Sequence, residues 1–461
     1  MNRRDFLAAG SAAGLGLTGL SRVVREARAA APSQSLATAS AAQRRWQRDE
    51  LGLFLHFGVN TFTGREWGDG REDPRLFAPA RLDARQWARA ARAGGFRIAV
   101  LTAKHHDGFC LWPTATTEHS VRRSPWRDGT GDVVREFVDA MRAEGLRVGL
   151  YLSPWDRHEP SYGDTPRYND FYERQLTELL TRYGEIAEVW FDGANGEGPN
   201  GRRQVYDWPR VWGTVRRLQP GAVIFSDAGP DVRWAGNERG VAGDPNWCAV
   251  DPAAVPAPGV EGPAVGRMLQ HGDPRGTVWR PAECDVSIRP GWFWRASEDD
   301  RVRTRDDLAR LYFESVGRNA NLLLNVPPTT DGLLHPTDVS RLEAFGAWRA
   351  ALLATNLARG ARSTITADAR AARTELRLRR PATFDVVSVR EELSRGQAVA
   401  RHRVEAWVGG GWREVAAGTT IGNRRLHRVP PTRSDRVRVT VDEAIAPPRL
   451  AEVTLHRDPR A

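Results

Sequence analysis

The chain has 461 residues, 41% hydrophobic and 27% charged, and its 67 basic against 57 acidic side chains give a formal charge of +10. A chain this long buries a large core without cross-links, and the spacing of Cys110, Cys248 and Cys284 matches no zinc pattern, so neither a disulfide scaffold nor a zinc module is expected. Residues 1–29 carry +3 of the charge and residues 356–461 carry +9, which leaves −2 between them; no nucleic-acid reader motif accompanies the basic tail, so no nucleic-acid partner is expected.

The opening MNRRDFLAAGSAAGLGLTG sets Arg3 and Arg4 before an apolar run rich in Gly and Ala, and Ala27-Arg28-Ala29 fits a small-residue cleavage site. This is the pattern of a twin-arginine signal peptide over residues 1–29, and it predicts a periplasmic or extracellular, secreted protein. The apolar run is shorter than the ~20 residues a membrane helix needs, and no other stretch approaches that length, so no membrane span is expected.

From about residue 48 apolar runs alternate with amphipathic ones. LGLFLHFG (51–58), FRIAVLTAKHH (96–106), LRVGLYLSPW (146–155), EIAEVWFDG (185–193) and AVIFSDAG (222–229) read as strands. A helix is predicted from its N-cap Asp83 to Gly94-Gly95. A second, with Val133, Val134, Phe137 and Met141 at helical spacing, ends at Gly145, and a third spans residues 167–183. Strand–helix units with near-continuously apolar strands imply a parallel sheet covered by helices, an α/β fold. The length of the body, and the absence of a G-x-G-x-x-G opening a helix, favour a (β/α)8-like TIM barrel over a dinucleotide-binding sheet. The barrel is assigned residues 30–355.

Polar residues gather at strand ends. His56 follows the first strand, Lys104-His105-His106-Asp107 the second, and Ser153, Trp155 and Asp156 the third. Asp192 follows the fourth, Asp227 the fifth, and Glu283 and Asp285 lie near a later candidate strand in TVWRPAECDVS. In a barrel these ends share one mouth, where such folds carry out chemistry. Lys104 is the only lysine in the chain. Its neighbours His105 and His106 suggest metal, but adjacent side chains in a strand point to opposite faces and H-E-x-x-H is absent, so no metal or cofactor is expected. Trp67, Trp155, Trp190, Trp234, Trp292 and Trp294 flank the acids and suit the apolar faces of sugar rings. Cleaving a glycoside needs two carboxyl groups. Asp107, Asp156, Asp192, Asp227, Glu238, Glu283 and Asp285 are all candidates, and residue chemistry alone does not choose among them.

Past residue 355 short alternating segments separated by Gly, Pro, Asn and Asp predict a C-terminal antiparallel β-sandwich, residues 356–461. Arginines alternating with apolar residues in TELRLRR and DRVRVTV mark a solvated face. Trp407 and Trp412 read as sandwich core, and the domain as a structural lid on the barrel rather than a sugar-binding module.

GLFLHFG (52–58), KHHDGF (104–109), GLYLSPW (149–155), WFDGA (190–194) and NANLLLNVPPTTDG (319–332) resemble the signatures of glycoside hydrolase family 29, the α-L-fucosidases, over roughly residues 48–350. FSDAGPDVRWAGNE (225–238) and PAECDVSIRPGWFW (281–294) further resemble the branch acting on α-1,3- and α-1,4-linked fucose. The resemblance implies a retaining exo-hydrolase of fucosylated oligosaccharides or glycoconjugates, with Asp192 as nucleophile and Glu238 as acid/base. It also implies sugar contacts from His56, Trp67, His105, His106, Tyr151, Trp190 and Trp292. Many members carry an arginine after the fifth strand in NDRW. This chain reads SDAG there, and Arg233 is the expected substitute. Glu66 and Glu197 are rival acid/base positions, and Lys104 is open between a sugar contact and a structural ion pair. A metal-dependent barrel hydrolase and a non-catalytic sugar-binding protein are the alternative readings.

Overall fold

Eight parallel strands close into a barrel in the order β1-β8-β7-β6-β5-β4-β3-β2. They are β1 Leu51–Leu55, β2 Ile98–Lys104, β3 Arg147–Leu152, β4 Glu188–Trp190, β5 Val223–Ser226, β6 Val232–Trp234, β7 Ala282–Ser287 and β8 Ala320–Asn325. The computed structural model describes residues 36–368 and 370–459, so the signal-peptide reading lies outside the described residues. The helices are α1 Ala41–Asp49, α2 Ala84–Ala93, α3 Val133–Ala143, α4 Thr165–Arg182, α5 Trp208–Leu218, α6 Pro263–His271, α7 Arg305–Glu314 and α8 Pro336–Ala354, with a further short turn at Val59–Thr63. Local chemistry sets their ends. The carboxylates of Asp83 and Asp132 accept backbone N–H groups of Arg85 and Arg135 at the starts of α2 and α3, and Gly95 and Gly145 follow those helices at φ of 81° and 72°.

The interior is filled by side chains, as a small barrel requires. Phe54, Val100, Tyr151, Trp190, Val223, Phe225, Val232 and Leu323 form one cluster with Trp46 of α1. Two inward positions are glycines for a steric reason. A Cβ at Gly52 would lie 2.8 Å from Leu323 Cδ1, and one at Gly149 would lie 2.8 Å from Val100 Cγ2.

The regular alternation breaks once. Only residues 227–231 separate β5 from β6, although a parallel return ordinarily needs a crossover of about a dozen residues. Asp231 holds this return closed: its carboxylate accepts the Ile224 N–H at 2.7 Å and pairs with Arg216 at 2.5 Å.

The C-terminal antiparallel layer comprises β9 Arg362–Ala367, β10 Ala372–Glu391, β11 Val399–Val408, β12 Gly411–Gly418, β13 Arg425–Ala444 and β14 Leu450–His456. The strand order is β9-β10-β13-β11-β12, with β14 on β10. The two 20-residue strands β10 and β13 run through both halves of the layer and slip register near Arg377 and Phe384. Such irregularities bend a strand and allow one sheet to wrap its own core. That core is Leu376, Leu378, Val404, Val437, Val439 and their neighbours.

Trp407 and Trp412 are not part of it. They are half-buried on the opposite face, rings 5.5 Å apart, so their expected core role is corrected. The period-two alternation of β11 puts Val404 and Ala406 inside and turns Trp407 out.

Barrel and sheet belong to one compact unit. Glu50, at the start of β1, is the clamp. It pairs with Arg390 at 2.5 Å and Arg424 at 3.2 Å from the sheet, and with Arg349 of α8 at 3.5 Å. Burial pushes the Glu50 carboxyl up, but the guanidiniums of Arg424, Arg390 and Arg349 outweigh it and hold the group below its ordinary value. All three cysteines are buried and unpaired. Among the described residues no helix is long and apolar enough to cross a membrane.

Candidate active site

The end of β2 builds one wall of the mouth. The strand stops at Lys104, so the alternation of strand side chains does not extend to the two histidines. The rings of His105 and His106 lie 4.1 Å apart, which corrects the expectation that they point to opposite faces. Lys104 turns the other way, into the helical layer. Its ammonium donates to Asp156 Oδ2 at 2.8 Å and to Gln175 Oε1 of α4 at 2.9 Å, among the rings of Tyr168, Phe171 and Tyr172. Asp156 Oδ1 in turn accepts the N–H groups of His158 and Glu159. Burial pushes the Asp156 carboxyl up, yet the Lys104 charge prevails and holds it below its usual range. The lone lysine is thus a brace that pins the loop after β3, which carries Ser153 and Trp155.

Hydrogen bonding assigns the imidazole tautomers. The Ser153 hydroxyl donates to the Trp155 carbonyl at 2.6 Å, so its oxygen accepts from His106 Nδ1 at 2.7 Å. His106 Nε2 then faces Asp192 Oδ2 at 3.9 Å. His56 is set the same way. The Asn325 amide nitrogen is committed to Ser287 Oγ and the Trp292 carbonyl, both at 2.9 Å, which aims Oδ1 at His56 Nδ1, 2.8 Å away. Burial holds His56 down to about 3, so the ring is neutral with Nδ1 carrying the proton. His105 is likewise held well below the ordinary imidazole value by burial, then by His106 and His56. Its Nδ1 has no hydrogen-bond partner among the described residues.

Asp192 follows β4 and opens to solvent on one side. Its Oδ1 accepts the Ala194 N–H at 2.6 Å, and its Oδ2 faces the Tyr151 hydroxyl at 3.5 Å. Glu238 is exposed on the segment after β6. Asp285 of β7 is buried, with Oδ1 accepting from the Trp234 indole at 2.7 Å. Burial raises the Asp285 carboxyl well above its ordinary value, and the charges of Glu238 and Asp192 both add to that rise. Asp285 therefore sits within the electrostatic field of both candidate carboxylates.

One layer down, Glu283 accepts from the Trp190 indole at 2.9 Å and Glu188 from the Trp46 indole at 3.1 Å. The two glutamates are hydrogen-bonded to each other. Burial raises both, Glu188 to about 7 and Glu283 well above its normal range, so the pair shares a proton.

Aromatic rings complete the pocket. Trp190 stacks on Phe225 at 4.3 Å and meets Tyr151 edge-on at 5.1 Å. Trp292 lies 5.0 Å from His56. Trp67 is 47% exposed at the rim, edge-on to His106 and Trp155 at 5.9 and 5.7 Å. The rival acid Glu66 is occupied: its two oxygens accept from the Trp292 N–H and from Arg295, each at 2.5 Å, and so hold Trp292 in place. Glu197 lies exposed on the hairpin after β4, where its carbonyl accepts the Trp155 indole N–H at 3.1 Å.

His56, His105, His106, Tyr151, Trp67, Trp190, Trp292 and Asp192 thus converge on one mouth. Arg233 does not join them. Its guanidinium is buried on the outer side of β6 and donates to the carbonyls of Leu269 and Arg280 and to Asn246 Oδ1. Strand alternation turns Trp234 inward and Arg233 outward. Asn325 and Ser287 are site residues that the sequence reading missed. Both end inward-facing strands, the signal that singled out His56 and Asp192.

Acids, imidazoles and indoles at the carboxyl ends of a closed parallel barrel define a barrel glycoside hydrolase. Comparison with known proteins agrees. The sequence profile described as α-L-fucosidase matches residues 71–351. Alpha-L-fucosidase 1 of Arabidopsis thaliana is 43% identical over 458 residues, covering 93% of this chain and 89% of that protein. A crystal structure of a glycoside hydrolase 29 family member from an unknown rumen bacterium is 40% identical, with a TM-score of 0.86 over 92% of this chain and 78% of that one. A Ruminococcus gnavus family 29 fucosidase solved in complex with fucose is 32% identical, with a TM-score of 0.83 over 94% and 97% of the two chains. The chain belongs to the α-L-fucosidase family, family 29 of the glycoside hydrolases.

Proposed function

We propose that this α-L-fucosidase is an exported, exo-acting, retaining enzyme that releases terminal α-1,3- or α-1,4-linked L-fucose, with Asp192 as nucleophile and Glu238 as acid/base. The observation that carries the reading is the position of Asp192, at the mouth with Oδ2 toward Tyr151 and His106. With Oδ1 tied to Ala194, Oδ2 attacks the anomeric carbon of fucose while protonated Glu238 donates to the departing oxygen; Glu238 then deprotonates the water that releases the sugar. Neutral His56 offers an Nε2 lone pair to a sugar hydroxyl, His106 Nε2 faces the same space beside Asp192, and the indoles pack against the apolar ring face. The absence of Arg233 from the pocket leaves the sugar hydroxyls to the imidazoles.

Asp192→Ala is expected to abolish fucose release from an aryl fucoside; full activity in that variant overturns the reading. Fucosylated trisaccharides of differing linkage test the branch assignment, and the anomer first released, read by NMR, tests retention. Chelator treatment is expected to leave activity intact, and its loss would favour the metal-dependent alternative. Replacing Arg3 and Arg4 by lysine is expected to block export.

A further inference from the structure

The outer face of the C-terminal sheet carries a row of residues that the barrel chemistry does not use. Arg362 on β9 lies opposite Arg377 on β10, and Arg377 lies opposite Arg436 on β13. The pairing of Ala406 with Val437 continues the row to Trp407 on β11, which is paired with Trp412 on β12. One line across five strands therefore reads Arg, Arg, Arg, Trp, Trp. At the usual strand spacing it spans roughly 19 Å. The Arg436 guanidinium lies 4.8 Å from the Trp407 ring and 5.0 Å from the Trp412 ring, and Arg438 in the next row lies 4.3 Å from Trp412.

Ordinary sheet stability does not explain this row. Like charges directly opposite one another destabilise a sheet. Glu375 and Glu405 neutralise Arg436 and Arg438. Arg362, Arg373 and Arg377 are exposed and have no ion-pair partner among the described residues. The indoles contribute nothing to the sheet's core, which forms on the other face.

We propose that this face is a second, non-catalytic binding site for an anionic polysaccharide. Guanidinium forks match sulfate and carboxylate groups in a bidentate manner, and half-buried indoles with guanidiniums stacked over their rings add apolar surface beside the charges for a pyranose ring. A sugar chain carries its charges at intervals, which suits a face where Glu375, Glu405 and Glu414 punctuate the arginines; a regular phosphate backbone would meet those carboxylates repeatedly. The site would hold an acidic glycan surface while the barrel mouth works on fucosyl branches. The sheet geometry does not depend on which acids catalyse.

Affinity electrophoresis of the full chain through gels holding dextran sulfate, polygalacturonate or neutral dextran tests the proposal. Both anionic polymers are expected to retard the protein and neutral dextran is not. Trp412→Ala is expected to weaken retardation about tenfold, the scale of one aromatic stacking contact. The double change Arg362→Glu, Arg377→Glu is expected to abolish it. Aryl fucoside hydrolysis should be unchanged in both variants, which also shows that they fold. No retardation of the native protein, or retardation that survives both sets of changes, overturns the proposal. So does binding to duplex DNA as tight as to dextran sulfate together with insensitivity to Trp412→Ala, because the face would then be charge alone.

Discussion

Lys104 shows how a single side chain sets a site it never touches. Fully buried, it joins the end of β2 to the loop after β3, and that loop in turn carries the serine that orients His106. Removing one member of a buried pair leaves the other charge uncompensated, at a cost of about 3–5 kcal/mol. Lys104→Met is expected to lose stability on that scale in denaturant unfolding. Asn325 acts on His56 more directly, since it alone fixes which imidazole nitrogen faces the pocket. Asn325→Leu is expected to lower kcat/KM about 100-fold, the effect of a misplaced contact of about 1 Å, and also to lower the unfolding midpoint, because Ser287, the Trp292 carbonyl and His56 lose a buried partner. The lysine stood out in the sequence as a rarity, but its role did not. A strand-end cation is compatible with a sugar or with a carboxylate until the direction of the chain after Lys104 is known.

Among the elements, β7 is the most densely functional. Its alternation sends Glu283, Asp285 and Ser287 inward at three depths, each bonded to a neighbouring strand or loop. The deepest, Glu283, shares a proton with Glu188. A carboxyl whose folded value is raised to about 7 stabilises the fold fully only below its unfolded value, and that contribution is lost as pH rises through about 7. Glu188→Gln removes the Glu188 share of this dependence, while Glu283, raised first by its own burial, keeps its share. The variant's melting temperature is therefore expected to rise relative to the parent between pH 5 and pH 8, measured by scanning calorimetry. The first five strands were legible because long apolar runs alternate with capped helices. β6 was not, because it is three residues long and follows β5 without a helix. The misplacement of Arg233 follows from that omission: without a recognised strand there was no alternation to turn it outward. The reading of Trp407 and Trp412 went astray differently, since either face of an amphipathic strand can carry an indole.

At the scale of the whole molecule, the barrel and the C-terminal sheet are joined by polar contacts as well as packing. Glu50 gathers three guanidiniums, two of them from the sheet, and Asp244 holds Arg425 through both oxygens at 3.0 and 2.8 Å. Glu50→Ala strands those guanidiniums in a buried cluster. It is expected to destabilise barrel and sheet together by about 3–5 kcal/mol, as one unfolding transition by both fluorescence and circular dichroism. No local sequence pattern announces this clamp, because its members lie far apart in the chain and meet only after the strands have paired.

The brace at Lys104 also has a practical corollary. With no accessible ε-amine anywhere along its length, the native chain presents amine-selective acylating reagents with no side-chain target. Any labelled lysine recovered by mass spectrometry would report a molecule that had opened the space between β2 and α4. The protein thus carries a built-in chemical gauge of its own unfolding.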